Sequence, residues 1–284
     1  MGVAKRLSHG LQLQGSFTWG KSVDTSSSVI AGDGFTNAIS SLNWFDLRLS
    51  RGLSDFNVGR TLVISGTWQV PGPKSAPGAL AWLANGWQLG GIFKANDGVP
   101  FSALFGTGGD PMGSLSSDDY AYPNRLPGCN PVNTNFRNSP AGVPLYVNAG
   151  QVSGIPQCFA VATAPSPTFF NQNCDPTFGN PALFQCFNLR GNSGRNIMVG
   201  PGVTNFDFSI FKNTYIKRIS ETFNVQFRAE FFNILNHANF GPPDLPSGND
   251  DIFDATGAPS GSAGLLTNTT TDPREIQFAL KLIW

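Results

Sequence analysis

The residues able to do chemistry are few, and most stand apart. The chain has two histidines, His9 and His237. Neither has a Cys or Asp at metal-ligand or nucleophile spacing, so both read as structural or exposed. Asp250, Asp251 and Asp254 form an acidic knot. Calcium is the chemistry such carboxylates could do, but the EF-hand spacing and its closing Glu are absent, and a solvated loop is expected. Cys129, Cys158, Cys174 and Cys186 lie in one Pro/Asn/Gly-rich stretch without a CxxC pair, which argues against zinc. An even number in one long loop fits two disulfides in an oxidising compartment, with the pairing open and four free thiols as the alternative. Arg228, Glu230 and Lys281 are the charges with a regular setting, and each needs a strand to position it. No catalytic constellation emerges. The expectation is a chain that is not an enzyme, with no cofactor and no metal.

The composition narrows the setting. Formal net charge is zero over 284 residues, which gives no electrostatic footprint for nucleic acid. Charged residues make up 13%, against roughly 25% in a typical soluble domain, and Gly and Phe are abundant. Mean hydropathy is near zero, as expected of strands that are half polar. No run of 18 apolar residues exists, so no membrane-spanning helix is expected. Lys5 and Arg6 are followed by alternation instead of a continuous apolar segment. A signal peptide is therefore not expected, which suggests a piece of a longer protein.

The strands that hold the charges are read from period-2 alternation. At the end of the chain Ile276, Phe278, Leu280, Leu282 and Trp284 alternate with Glu275, Gln277, Ala279 and Lys281. Upstream, Phe223, Val225, Phe227, Ala229 and Phe231 alternate with Asn224, Gln226, Arg228 and Glu230. Residues 11–19, 58–70, 87–105 and 205–211 show the same pattern. One face is apolar and uncharged; the other carries the polar and charged groups. On a lipid-facing side a Lys or Arg near midplane would cost about 2–4 kcal/mol, so Arg228, Glu230 and Lys281 are assigned to a lumen. The fold class expected is all-β: an antiparallel transmembrane β-barrel segment of about six long strands with long extracellular loops.

Connection lengths support that reading. Segments 23–56, 106–203 and 236–272 are long and fall on one side, while the links between them are short. A seventh strand made by turning at Asp97 would spoil this alternation, so six is preferred. Trp68, Trp87 and Trp284 then share the periplasmic interface as an aromatic girdle. The 106–203 segment is expected to be a Cys-containing extracellular loop within a single barrel unit, 1–284. A soluble β-sandwich binding module is the alternative from another class.

Several stretches resemble a known family. They are GLQLQGSFTWGKSVD (10–24), RGLSDFNVGR (51–60), GWQLGGIFKANDGVPF (86–101), FNVQFRAEFFNILNHANF (223–240) and REIQFALKLIW (274–284). Together they resemble the C-terminal barrel of TonB-dependent receptors of the Oar-like group, which carry a carboxypeptidase-regulatory-like N-terminal domain. The resemblance implies a plugged barrel of about 22 strands, of which this chain would be the C-terminal portion. It implies uptake of a large nutrient, such as a glycan, peptide or metal chelate, powered through TonB by N-terminal parts outside this chain. It also implies the bacterial outer membrane as location, its lipid and the barrel-assembly machinery as partners, and Phe278, Leu280, Leu282 and Trp284 as the assembly signal. A non-transporting surface or adhesin barrel is the other expectation.

Overall fold

The computed structural model describes residues 1–27, 47–73, 78–105, 122–160, 191–243, 248–253 and 258–284. Cys174, Cys186 and Asp254 lie outside these residues. Along the chain, strands β1 (Gly2–Ser8) and β2 (Leu11–Trp19) form a hairpin. His9 and Gly10 join them with positive φ at both positions, the two-residue turn whose twist matches paired strands. Two short strands, β3 (Val23–Asp24) and β4 (Gly52–Leu53), precede the long β5 (Arg60–Gln69). Helix α1 (Gly78–Ala84) and strand β6 (Trp87–Asn96) follow, then β7 (Pro100–Phe101), β8 (Leu104–Phe105), β9 (Asn124–Arg125), β10 (Phe159–Ala160) and β11 (Met198–Val199). The chain ends with β12 (Val203–Tyr215), β13 (Asn224–Phe232), β14 (Asp251–Phe253) and β15 (Glu275–Ile283).

Seven strands make one antiparallel sheet in the order β1-β2-β5-β6-β12-β13-β15. The sheet is open, with β1 and β15 at its edges. The expected count of six was one short, but not at Asp97. The additional strand is β1, whose sequence GVAKRLS has no alternation to reveal it. Strand β6 ends at Asn96 and does not run on to residue 105. Gly98 explains the exit: a Cβ there would meet the carbonyl oxygens of Gly200 and Pro201 at 2.2 and 2.4 Å, so only Gly permits the close crossing. Phe101 and Ala103 keep the apolar parity because they enter a different core, where both are fully buried.

Cross-strand register sorts the side chains. Phe208 opposes Phe231, which opposes Ile276; Ile210 opposes Ala229, which opposes Phe278. Phe227 and Phe278 stack with ring centroids 6.2 Å apart. Among the described residues no layer covers this apolar face: Phe278 is 66% and Leu280 68% exposed. A sandwich would cover it with a second sheet. Two charges expected to be absent from this face are present at its rims. Arg60 lies in register with Trp19 and makes a bidentate contact with Asp97, both bonds 2.9 Å. Lys212 continues the parity of Phe206, Phe208 and Ile210 because β12 runs further than the alternation at 205–211 indicated.

The long connections gather at one end of the sheet and build a folded cap with its own core. Phe101, Tyr146, Val147, Ala149, Cys158, Phe159, Met198, Ile252, Phe253 and Leu266 are buried together. Strand β7 pairs with β11, β9 with β10, and β8 with β14. Cys129 and Cys158 form a disulfide across 29 residues of this cap. The described parts of the long 106–203 segment, 122–160 and 191–202, are thus packed into this cap. The acidic knot is also not a solvated loop. Asp250 is buried, and Asp251 begins β14 beside buried Ile252 and Phe253.

Candidate functional site

The polar face of the sheet is the first part of the site. Gln12 and Gln14 from β2, Ser65 and Thr67 from β5, Ile92 from β6, and Ser209 and Phe211 from β12 line a hollow of about 320 Å3. On β13 the Arg228 guanidinium stands 5.2 Å from the Phe211 ring centroid, directly across the strand pair. Its Nε donates to Gln226 Oε1 at 2.6 Å, and Gln226 Nε2 donates to Asn213 Oδ1 at 2.8 Å. Glu230 opposes Ser209 on one side and Gln277 on the other. Lys281 opposes Gln226. The three expected lumen charges thus share one face but do not form one cluster. Arg228 is held by an amide chain and a ring, while Lys281 stays exposed on the edge strand.

The second part is the mouth where the sheet meets the cap. A cavity of about 570 Å3 is lined by Asn205, Asp207, Phe232, Asn233, Asp272 and Glu275, among others. Asp207 Oδ1 accepts from Asn205 Nδ2 and from the Asn233 backbone N–H, both at 2.9 Å. Three asparagines at three-residue spacing shape this mouth. Asn233 and Asn236 adopt positive φ, which Asn tolerates better than bulkier residues. Asn233 accepts from the His237 N–H and donates to the carbonyls of His237 and Asp272. Asn236 Oδ1 accepts from the Arg274 N–H at 3.0 Å. Asn239, fully buried, accepts from the Thr204 N–H and donates to the Thr204 carbonyl and the Thr271 hydroxyl. An amide is both donor and acceptor, so each Asn ties one loop to another. His237 lies in the same turn, 3.4 Å from Arg137 Nη2. His9 sits in the β1–β2 turn, at the opposite end of the sheet.

A third group, missed by motif reasoning, locks the cap. Arg195 is nearly fully buried and bonds Asp24 at 2.5 Å, Asp55 at 2.7 Å and Ser27 at 2.8 Å. Asn196 Nδ2 donates to the same Asp55 oxygen and to the Leu53 carbonyl. A Cβ at Gly52 would lie 2.4 Å from the Arg195 carbonyl oxygen, so Gly52 allows the approach. Burial opposes ionisation of Asp24, but hydrogen bonds from Arg195, Ser54 and Ser27 prevail and hold its carboxyl below the usual range. Burial likewise disfavours the Arg195 cation; its two carboxylates outweigh that and raise its pKa. The sequence signal was the Ser-Asp-Phe-Asn run after Gly52, whose Ser54, Asp55 and Asn57 are all buried.

Phe278, Leu280 and Leu282 sit on the apolar face of edge strand β15, which among the described residues is paired on one side only, and Trp284 directly follows the strand. Trp68 and Trp87 lie on that face near the short-turn ends of their strands, and Trp284 follows the end of β15 on the same side of the sheet as those turns. In this kind of barrel short turns face the periplasm and long loops the outside.

A family model described as an outer membrane beta barrel domain matches residues 1–277. No curated protein and no solved structure matches the chain. The family agrees with what the geometry requires, a sheet whose apolar face is solvated by lipid and whose polar face meets water. The chain belongs to the outer membrane β-barrel domain family and resides in the outer membrane.

Proposed function

We propose that this chain is the C-terminal wall of a TonB-dependent, Oar-like receptor that imports a large nutrient, without catalysis of its own. The observation that carries the reading is the coincidence of family-like segments with the parts that build the mouth. The 223–240 stretch supplies Arg228 and Glu230 to the lumen wall and the three asparagines to the rim. Strand parity supports a larger barrel. In a seven-stranded antiparallel sheet β1 and β15 run in the same direction. An all-antiparallel closure therefore needs an odd number of further strands, about fifteen for a barrel of about 22. Unpaired edges cannot remain open in lipid. The exposed edge strand β15, with Phe278, Leu280, Leu282 and Trp284, is the feature the barrel-assembly machinery would engage.

The decisive test is transport. Uptake of the nutrient that induces expression should stop in a TonB-deficient strain and in a strain deleted for the gene. The upstream reading frame should encode further strands and a plug; an in-frame stop beside a strong start site would sink the reading. The folded, disulfide-bonded cap favours one rival, a surface adhesin barrel without transport. That rival predicts surface attachment lost on deletion and uptake unaffected by TonB.

A further inference from the structure

Helix α1, in the short-turn connection between β5 and β6, has the sequence GALAWLA and no charge. Leu80, Trp82 and Leu83 are each about 60% exposed. Alone, this would be an unexplained apolar surface. Its placement explains it. Lys212 stands on the lipid-facing parity of β12, next to Trp87 on β6. Its ammonium is buried there and donates to the carbonyl of Trp82 at 2.8 Å and to that of Asn85. It also lies 5.7 Å from the Trp82 ring and 5.6 Å from the Trp87 ring. The Trp87 indole N–H donates to the Leu83 carbonyl at 2.8 Å.

These bonds put the C-terminal turn of α1 against the lipid-facing side of the wall, not beneath the lumen. The helix surface is thus continuous with the apolar face of the sheet, where Trp68 and Phe227 are also exposed. The helix end carries free carbonyls and partial negative charge, which a cation satisfies. The same contacts remove the cost of a charge on the lipid side at this rim. A short neutral helix bearing Leu and Trp, held at the edge of the hydrocarbon, matches the headgroup–acyl boundary better than either bulk phase.

We propose that α1 is an interfacial anchor. It lies in the periplasmic leaflet of the outer membrane with Leu80, Trp82 and Leu83 against phospholipid, and Lys212 straps it to the barrel wall. This rests on the outer-membrane location and not on transport.

The test is cysteine accessibility in isolated outer membranes opened to expose both faces. Leu80→Cys and Leu83→Cys chains are treated with a charged, water-phase maleimide, and labelling of the unsubstituted chain is subtracted. Thr222→Cys, in the exposed short turn after β12, is the aqueous control. Labelling at positions 80 and 83 should be at least tenfold slower than at 222 and should equal it once the chain is unfolded in denaturant, while an uncharged, lipid-soluble maleimide should label them readily in the intact membranes. Equal rates with the charged reagent before denaturation would place α1 in water and overturn the proposal. Slow labelling by both reagents would mean that a protein surface covers α1, and would overturn it too. Lys212→Gln should raise labelling of Leu83→Cys severalfold while the chain stays in the membrane fraction; no change would remove Lys212 as the strap. Recovery of Thr222→Cys in the soluble fraction would instead overturn the outer-membrane location itself.

Discussion

The sheet and the cap bury apolar residues by opposite rules. In the sheet, Phe278 and Leu280 are more exposed than covered, and cross-strand pairs such as Phe227–Phe278 form a surface. In the cap, Leu145, Phe159 and Phe253 are almost wholly inside, although their segments show no regular alternation. Among the described residues only the cap has the kind of core that excludes water by itself. The sheet is complete only in lipid. One chain of near-zero mean hydropathy thus contains two solubility regimes, joined where Gly98 lets the chain leave β6. The cap should consequently unfold without the sheet, and the sheet should tolerate loss of the cap's staples.

The largest break is expected at Arg195. Replacing it with Met leaves Asp55, fully buried, without its cation. Breaking a buried pair from one side costs about 3–5 kcal/mol. Hydrogen exchange on the protein in lipid should show residues 23–27, 52–57 and 195–196 opening while β13 and β15 stay protected. Collapse of both regions together would show that they are one cooperative unit.

Next comes the Cys129–Cys158 bond, which closes a 29-residue separation. Loop-closure entropy puts its contribution at about 3–4 kcal/mol. Cys129→Ser should expose the cap to proteolysis between residues 129 and 158, with the sheet's heat-modifiable mobility unchanged. Cleavage at the same rate as in the parent chain would mean that packing of Phe159 and Val147 alone holds the cap.

The sheet's rule is tested by moving one charge by an odd number of positions. Leu280→Lys puts a cation on the lipid face and should cost about 2–4 kcal/mol in membrane stability. Gln277→Lys, on the polar face of the same strand, should cost about 0.5 kcal/mol or less. Urea titration in phospholipid vesicles would show the split. Equal costs would mean that β15 does not have a lipid side.

The two regions also differed in how far the residues disclosed them. The sheet was legible because lipid and water on opposite faces impose period 2; the cross-strand register that sets Lys281 opposite Gln226 was not, since pairing is decided by turns and neighbours. β1 escaped because GVAKRLS lacks that period, and the rim charge Lys212 escaped because its partner is a helix end remote in sequence. The cap was not legible. Its core comes from single residues of many segments, and its bonds run between positions such as Asp24 and Arg195, 171 residues apart. Single Asn and Gly residues carry it, and nothing in one sequence marks Asn239 or Gly52 as different from their neighbours.

Asp251 provides the smallest and sharpest test, because it belongs to the cap and not to the sheet. Burial pushes its carboxyl up from 3.8 to about 6. The folded cap therefore favours the protonated form. That contribution is complete below about pH 4 and lost as pH rises through about 6. Asp24 works the other way: its carboxyl is lowered, so its contribution is present above about pH 4 and lost below it. Between pH 4 and 6 the cap of the parent chain should weaken while the sheet does not. Asp251→Asn should abolish that decline and stabilise the cap by about 1–2 kcal/mol at pH 7, since one pKa unit corresponds to about 1.4 kcal/mol and partial solvent access reduces the full effect. The measurement is cap opening by hydrogen exchange as a function of pH, for parent and variant. If the two curves stay parallel from pH 4 to 6, Asp251 is not the group that makes the cap pH-sensitive where the sheet is not.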